Sequence, residues 1–301
     1  MRTLLLAVAL LAFAPGAAAC DVCGCSIGGN YFGILPQFHR HFIGLRWSAE
    51  TSYTALSADA LRAGRFHSTE QFRSYDLMAR FYPFRRWQTL VLAPYRDFSQ
   101  TENGKTTRVR GLGDVSVLVN YLLWDTGDSL RHRWQQTLSL GGGLKLPSGK
   151  HHLPAADGSP LNPNVQPGTG STDFLVSAAY TVRRGAWGIS TDLLGRLTTP
   201  NDQQYRFGHR LSGSLKGFYW APWRKLNLLP NAGVFADAAQ ANRDGDARLE
   251  GSEGLSTFAT LGLDAYAGHW SAGFSFQPPI WQSRRTVQAN ARWTCSLNYI
   301  F

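Results

Sequence analysis

Beyond its first 19 residues the chain lacks any run of about 18 apolar residues, which excludes helical membrane spans. Charge is scarce, at 17% of residues. No basic run is interleaved with a nucleic-acid motif, so the net charge of +10 reads as Arg scattered over loops and turns, and no nucleic-acid partner is expected. No C-x-x-C is followed directly by His, which excludes that form of haem attachment. Asp244-Gly245-Asp246, with Glu250 and Glu253, lacks the spacing of an EF-hand and reads as a polar outer loop. A Ser and a His two apart on a strand, as a lipid-facing phospholipase dyad needs, are also missing. His209 precedes Ser212 by three, which puts them on opposite faces, and His67-Ser68 are adjacent in a loop. No enzyme is expected.

Aromatic residues are abundant instead: 10 Trp, 11 Tyr and 17 Phe. With so little charge, that composition suits a transmembrane barrel with aromatic girdles better than a soluble protein.

The amino terminus reads as a secretory signal. Arg2 supplies its positive end, Leu4 to Phe13 its apolar core, and Ala17-Ala18-Ala19 a cleavage site before Cys20. Lipid attachment at Cys20 would usually have Leu three residues earlier, where Ala17 stands, so simple cleavage is the expectation. The expected organisation is residues 1–19 as signal, 20–40 as a Cys-containing arm or plug, and 41–301 as a barrel.

Period-2 alternation runs through nearly all of the remainder. Ala291, Trp293, Cys295, Leu297, Tyr299 and Phe301 share one face of the last segment, and Arg292, Thr294, Ser296 and Asn298 share the other. Lipid would cover the first face while the second lines a lumen. Twelve such segments are expected, near 41–56, 69–84, 87–100, 107–124, 132–147, 169–183, 186–199, 205–221, 225–238, 255–268, 270–278 and 286–301; the third, fourth and ninth alternate less cleanly. Their connections alternate long and short. Long polar links fall near 57–68, 101–106, 148–168, 200–204, 239–254 and 279–285, with tight joins between them. Bacterial outer-membrane barrels have this asymmetry, with short periplasmic turns and longer outside loops. The fold expected is therefore an all-β antiparallel up-and-down barrel of about 12 strands in the outer membrane, with both termini periplasmic. Tyr299-x-Phe301 at the end of an alternating strand resembles the signal read by barrel assembly machinery, an expected partner along with membrane lipid.

Alternation also sorts the charges. Arg46, Arg80, Lys145, Arg196, Lys216 and Arg292 face inward with Glu50, Asp76, Asp114, Asp173, Asp192 and Asp264. Six against six is balanced, whereas a charge-selective pore is lined by one dominant sign. Pairing across a narrow, hydrated interior follows. Residues 155–170, rich in Pro, Gly and Asn, read as an ordered external loop or an inward-folded constriction.

Three glycine-rich stretches stand out: Gly111-Leu112-Gly113-Asp114, Gly143-Leu144-Lys145-Leu146-Pro147-Ser148-Gly149, and Gly168-Thr169-Gly170-Ser171-Thr172-Asp173. Over roughly residues 40–301 they resemble the family of outer-membrane transporters named after the MetA pathway of phenol degradation. The resemblance implies a barrel that moves a small-molecule solute across the outer membrane. Physically, glycine in a strand marks a bulge or bend, and Pro147 removes a ladder donor where a strand ends.

Cys20, Cys23 and Cys25 form C-x-x-C-x-C at the start of the arm. Thiolates there, with His39 and His41, offer a site for copper or zinc. A disulfide in the oxidising envelope, or a lipid anchor, is the rival reading. Cys295 is expected on the lipid face as a packing residue. His151-His152 reads as a pair of solvated loop histidines. The functional expectation is a transporter or channel for a small solute; the alternative is a metal-binding envelope protein anchored by its barrel.

Overall fold

The computed structural model describes residues 40–55, 63–65, 67–102, 104–126, 134–154, 158, 161, 163–283 and 287–301. Its strands are β1 (Phe42–Thr54), β2 (Ser68–Phe84), β3 (Trp87–Glu102), β4 (Lys105–Leu112), β5 (Ser116–Asp125), β6 (Gln135–Lys145), β7 (Asp173–Arg184), β8 (Trp187–Leu197), β9 (Tyr205–Arg206), β10 (Arg210–Tyr219), β11 (Ala221–Trp223), β12 (Leu226–Ala239), β13 (Arg243–Asp244), β14 (Ala247–Arg248), β15 (Gly254–Ala267), β16 (Trp270–Gln277), β17 (Pro279–Gln282), β18 (Val287–Ala289) and β19 (Arg292–Ile300).

The main sheet is antiparallel and closes on itself, because β1 pairs with β2 on one side and with β19 on the other. Several neighbouring strands share one stave. β4 and β5 both pair with β3, β10 and β11 both with β12, β16 and β17 both with β15, and β18 and β19 both with β1. The result is a cylinder of 12 staves. No described helix is long and apolar enough to cross a membrane; the strands make the wall.

The alternation in sequence becomes an inside and an outside. On β1, Leu45 is 64% exposed while its neighbour Arg46 is 2% exposed. Leu77, Leu193, Leu215, Leu263 and Leu297 continue the outward apolar surface around the cylinder. A cation facing lipid at mid-bilayer costs about 2–4 kcal/mol, so the outward positions are held apolar. The belt ends on β2 and β3 near Tyr75 and Tyr95. Beyond them Asp97 takes Arg108 and Arg110 as ion-pair partners on the outer surface.

The two rims are built differently. At one rim, the β2–β3, β7–β8, β11–β12 and β15–β16 turns each leave two residues between paired strand ends. Trp87, Trp187, Tyr219, Trp223, Trp270 and Tyr299 ring this rim outside. At the other rim the connections 146–172, 198–209 and 240–253 are long and folded.

Three boundaries differ from the sequence expectation. Residues 101–106 are not a loose link: Glu102 is the register partner of Lys105, so β3 and β4 form a hairpin that extends the wall. Residues 205–209 lie outside the barrel. β9 joins β13 and β14 in a small separate sheet, and the eighth stave starts at Arg210. Residues 279–282 belong to a stave. Pro278 has no backbone donor for the ladder, and the register of β15 shifts where β16 gives way to β17.

Candidate functional site: the inner wall and the long-loop mouth

Register places the inward charges beside complements on neighbouring staves. Arg46 and Asp76 are direct cross-strand partners, and the guanidinium reaches Asp76 Oδ2 at 2.9 Å from Nε and 2.5 Å from Nη2. Ser74 also bonds Asp76. Arg292 Nε stands 2.7 Å from Glu50 Oε2, with the Arg292 guanidinium over the Phe258 ring at 4.1 Å. Arg210 pairs with Asp237 at 3.3 Å, and Ser212 donates to the same carboxylate at 2.5 Å. Ser214 donates to Asp192 at 2.6 Å, and Asn231 to Asp264 at 3.2 Å. Lys216 and Arg46 line one small cavity together with Asp264. Charges so arranged are compensated along the wall and leave no continuous stripe of either sign.

A denser polar knot closes the wall at the long-loop mouth. Asp114 lies between β4 and β5, Lys145 ends β6, and Asp173 opens β7. Lys145 Nζ contacts Asp114 Oδ2 at 2.7 Å, Asp173 Oδ2 at 3.1 Å and the Ser171 carbonyl at 3.0 Å, and it also meets Thr169. Asp114 accepts from the backbone N–H of Gly149 at 3.0 Å and of Thr169 at 2.9 Å. Arg196 approaches Asp173 at 3.6 Å. All three glycine-rich stretches thus converge on one cluster. Their glycines permit the convergence: a Cβ on Gly168 would lie 2.6 Å from the Gly149 carbonyl carbon. Asn201 Nδ2 donates to the Thr169 carbonyl at 3.1 Å and ties in the next loop.

Held by this knot, the described part of the 146–172 connection folds inward. The short turn Pro163–Val165 buries Asn164 and Val165. Val165 packs on Phe72 and Phe98, which stand on the inner faces of β2 and β3, and Leu161 covers the same cluster. Gln166 bridges the two arms of the connection by exchanging hydrogen bonds with Leu153 at 3.1 and 2.8 Å. Of the two forms expected for residues 155–170, the described part takes the inward one.

Further along the same rim, the 198–209 connection carries Asp202 to His151 and His152. Asp202 Oδ1 lies 3.3 Å from His151 Nε2, and Oδ2 lies 2.8 Å from His152 Nε2. The hydrogen bond with His152, and then the adjacent histidine charge, hold the Asp202 carboxyl below its ordinary range. The two histidines expected in this loop thus have an acid from a distant loop as a shared partner, with His152 and Asp202 exposed. His209 in this connection accepts the Thr198 N–H at 3.0 Å, and burial, with Arg206 nearby, lowers its pKa.

Of the inward residues expected from sequence, Arg46, Asp76, Arg80, Asp114, Lys145, Asp173, Arg196 and Lys216 are buried; Glu50, Asp192, Asp264 and Arg292 are partly buried. Arg96, Arg210 and Asp237 are missing from that expectation. β3 alternates poorly around Pro94, and Asp237 falls at the end of an Ala- and Gly-rich strand. Arg210 opens its strand five residues after the alternating segment begins, which masks its place on the wall. Cys20, Cys23, Cys25 and His39 lie outside the described residues. His41 stacks on Phe301 at 5.6 Å, and its Nδ1 accepts the Tyr82 N–H at 3.2 Å. Cys295 is free and exposed on the apolar outer surface.

No family model matches the sequence, and no match is found among curated proteins. Solved structures do match. An outer membrane channel from Pseudomonas putida F1 superposes with a TM-score of 0.66 at 13% identity, covering 89% of this chain and 97% of the channel. The β domain of the Bordetella autotransporter BrkA superposes at 0.50 with 13% identity, covering 87% of this chain and 100% of that one. At such identity the likeness concerns architecture: the chain has the fold of outer-membrane β-barrels.

Proposed function

We propose that this protein is an outer-membrane channel or transporter for a small polar solute, with the 146–172 connection as its constriction. The observation that carries this reading is a closed cylinder, apolar outside and lined with compensated charges inside, with one loop seated across its long-loop mouth. Such an interior is hydrated and near-neutral, suited to polar solutes rather than to one sign of ion. The P. putida channel of the same fold supports the reading.

In this reading the first 19 residues are cleaved and residues 20–40 form a periplasmic arm or plug. Both termini face the periplasm, and the barrel assembly machinery reads Tyr299-x-Phe301. The long-loop mouth then faces outward. The phenol-pathway resemblance offers one solute class to try.

Liposome swelling with sugars, aromatics and metal complexes tests the proposal. Entry of at least one class faster than into protein-free vesicles is expected. If every class enters at the protein-free rate, both for the intact chain and for a chain lacking residues 20–38, the channel reading fails.

A further inference from the structure

We infer that His151, His152 and Asp202 form a divalent transition-metal site at the long-loop mouth, bridging the 146–172 and 198–209 connections. It stands apart from the solute question and from the amino-terminal cysteines.

The ligand atoms of the three residues all lie within 4.8 Å of one another. Proton placement makes the cluster informative. His151 Nδ1 sits 3.3 Å from the Gly149 carbonyl, which can only accept, so Nδ1 carries a hydrogen. In the neutral ring Nε2 is then a bare lone pair. That atom is buried and faces an Asp202 oxygen 3.3 Å away. Two acceptors facing each other need a cation between them. A second proton on His151 is one candidate, but the His152 ring centroid lies only 4.0 Å off and shares the same carboxylate. One divalent ion answers both rings at once. Two imidazoles and a carboxylate are donors suited to zinc, copper or nickel.

The surroundings hold the site as a second shell would. The Gly149 carbonyl fixes the His151 tautomer, as is usual behind a metal-bound imidazole. Gly170 has φ of +71°, and a Cβ there would lie 2.4 Å from the His151 ring, so this glycine makes room for the ligand. Neighbouring Asn201 is tied to the polar knot. His152 is half-exposed, and its Nε2 already stands 2.8 Å from Asp202 Oδ2. A cavity of about 230 Å³ adjoins the pair, bounded by Leu161, Gln166, Asn201 and Phe207, and leaves space for water or a further ligand on the ion. A bound ion would staple the constricting loop to its neighbour.

The test is calorimetric titration of ZnCl₂ into the detergent-solubilised full chain at pH 7.5, with heat-modifiable migration as the folding control. One site is expected to vanish in His152→Ala and in Asp202→Asn while remaining in the Cys23→Ser, Cys25→Ser double variant. At pH 5.5 its affinity should fall at least tenfold, because the imidazoles must be unprotonated to bind. Unchanged zinc stoichiometry in both folded rim variants overturns the inference. So does a folded wild-type chain whose only zinc sites disappear with the cysteines, which would leave a proton-held ion pair.

Discussion

The short-turn rim and the long-loop rim are ends of the same strands, yet different physics holds them. At the first, two residues reverse the chain, and ring pairs such as Trp187–Tyr219, 4.7 Å apart, and Trp270–Tyr299, 5.1 Å apart, pack between strands adjacent in the wall. Its contacts are local or reach at most two staves, as where Trp220 stacks on Tyr266. At the second, Asp114, Lys145, Thr169, Asp173 and Asn201 come from three connections and their flanking strand ends to share one set of hydrogen bonds. The first rim anchors the barrel at an interface. The second builds a mouth, and a mouth that holds a loop inward needs long-range contacts.

Lys145→Met should break the contrast most severely. It leaves Asp114 and Asp173 without their shared buried cation, a loss of about 3–5 kcal/mol for a broken buried pair. Urea titration of the folded barrel should show that loss, and single-channel conductance should rise as the loop unseats. A Lys145→Met barrel of wild-type stability would mean the knot holds nothing.

Val165→Asp tests the seat and spares the knot. Val165 is 4% exposed against Phe72 and Phe98, so a carboxylate there removes about 2 kcal/mol of apolar burial and adds a desolvation cost. Conductance should increase in planar bilayers, and the unfolding midpoint should fall less than in Lys145→Met. If conductance stays put, the inward loop is not the constriction.

Trp187→Ala probes the other rim. Losing the ring pair with Tyr219 should cost about 0.5–1.5 kcal/mol beyond the lost area. The expected result is lower stability at unchanged conductance, whereas Val165→Asp raises conductance. A conductance change in Trp187→Ala would blur the division between the rims.

Acid should act most weakly, and on the mouth alone. The folded pKa of His209 lies below its ordinary value of about 6.5, so its contribution is complete above that pH and fades as pH falls toward the folded value. Protonation occupies the Nδ1 lone pair that accepts Thr198 N–H. The protection factor of the Thr198 amide, its exchange taken against the intrinsic rate at each pH, should drop between pH 6.5 and 5 while the short-turn rim stays protected. An equal protection factor at both pH values would show that the ring does not hold this connection.

The sorting of side chains is legible in the sequence, because period 2 in a two-faced wall leaves little freedom: Leu45 outward dictates Arg46 inward. The stave number is legible too, from segments and loop lengths. Where local signals weaken, boundaries slip. Pro278 hides a stave that continues past it, and Tyr205–Arg206 reads as barrel although its partner is Arg243–Asp244. Asp237 is inconspicuous among small residues, although Arg210 and Ser212 make it part of the inner wall.

By itself, then, the order of residues determined the barrel, its two faces and most of the charges that point inward, since each follows from alternation between neighbours along one strand. Only the tertiary structure decided that three glycine-rich stretches meet at Lys145, that Val165 reaches Phe72 and Phe98, and that Asp202 stands against His151 and His152. Those meetings join positions from about 30 to about 90 residues apart along the chain. They depend on how far each loop must bend to satisfy its buried polar groups, which no pattern of neighbours encodes.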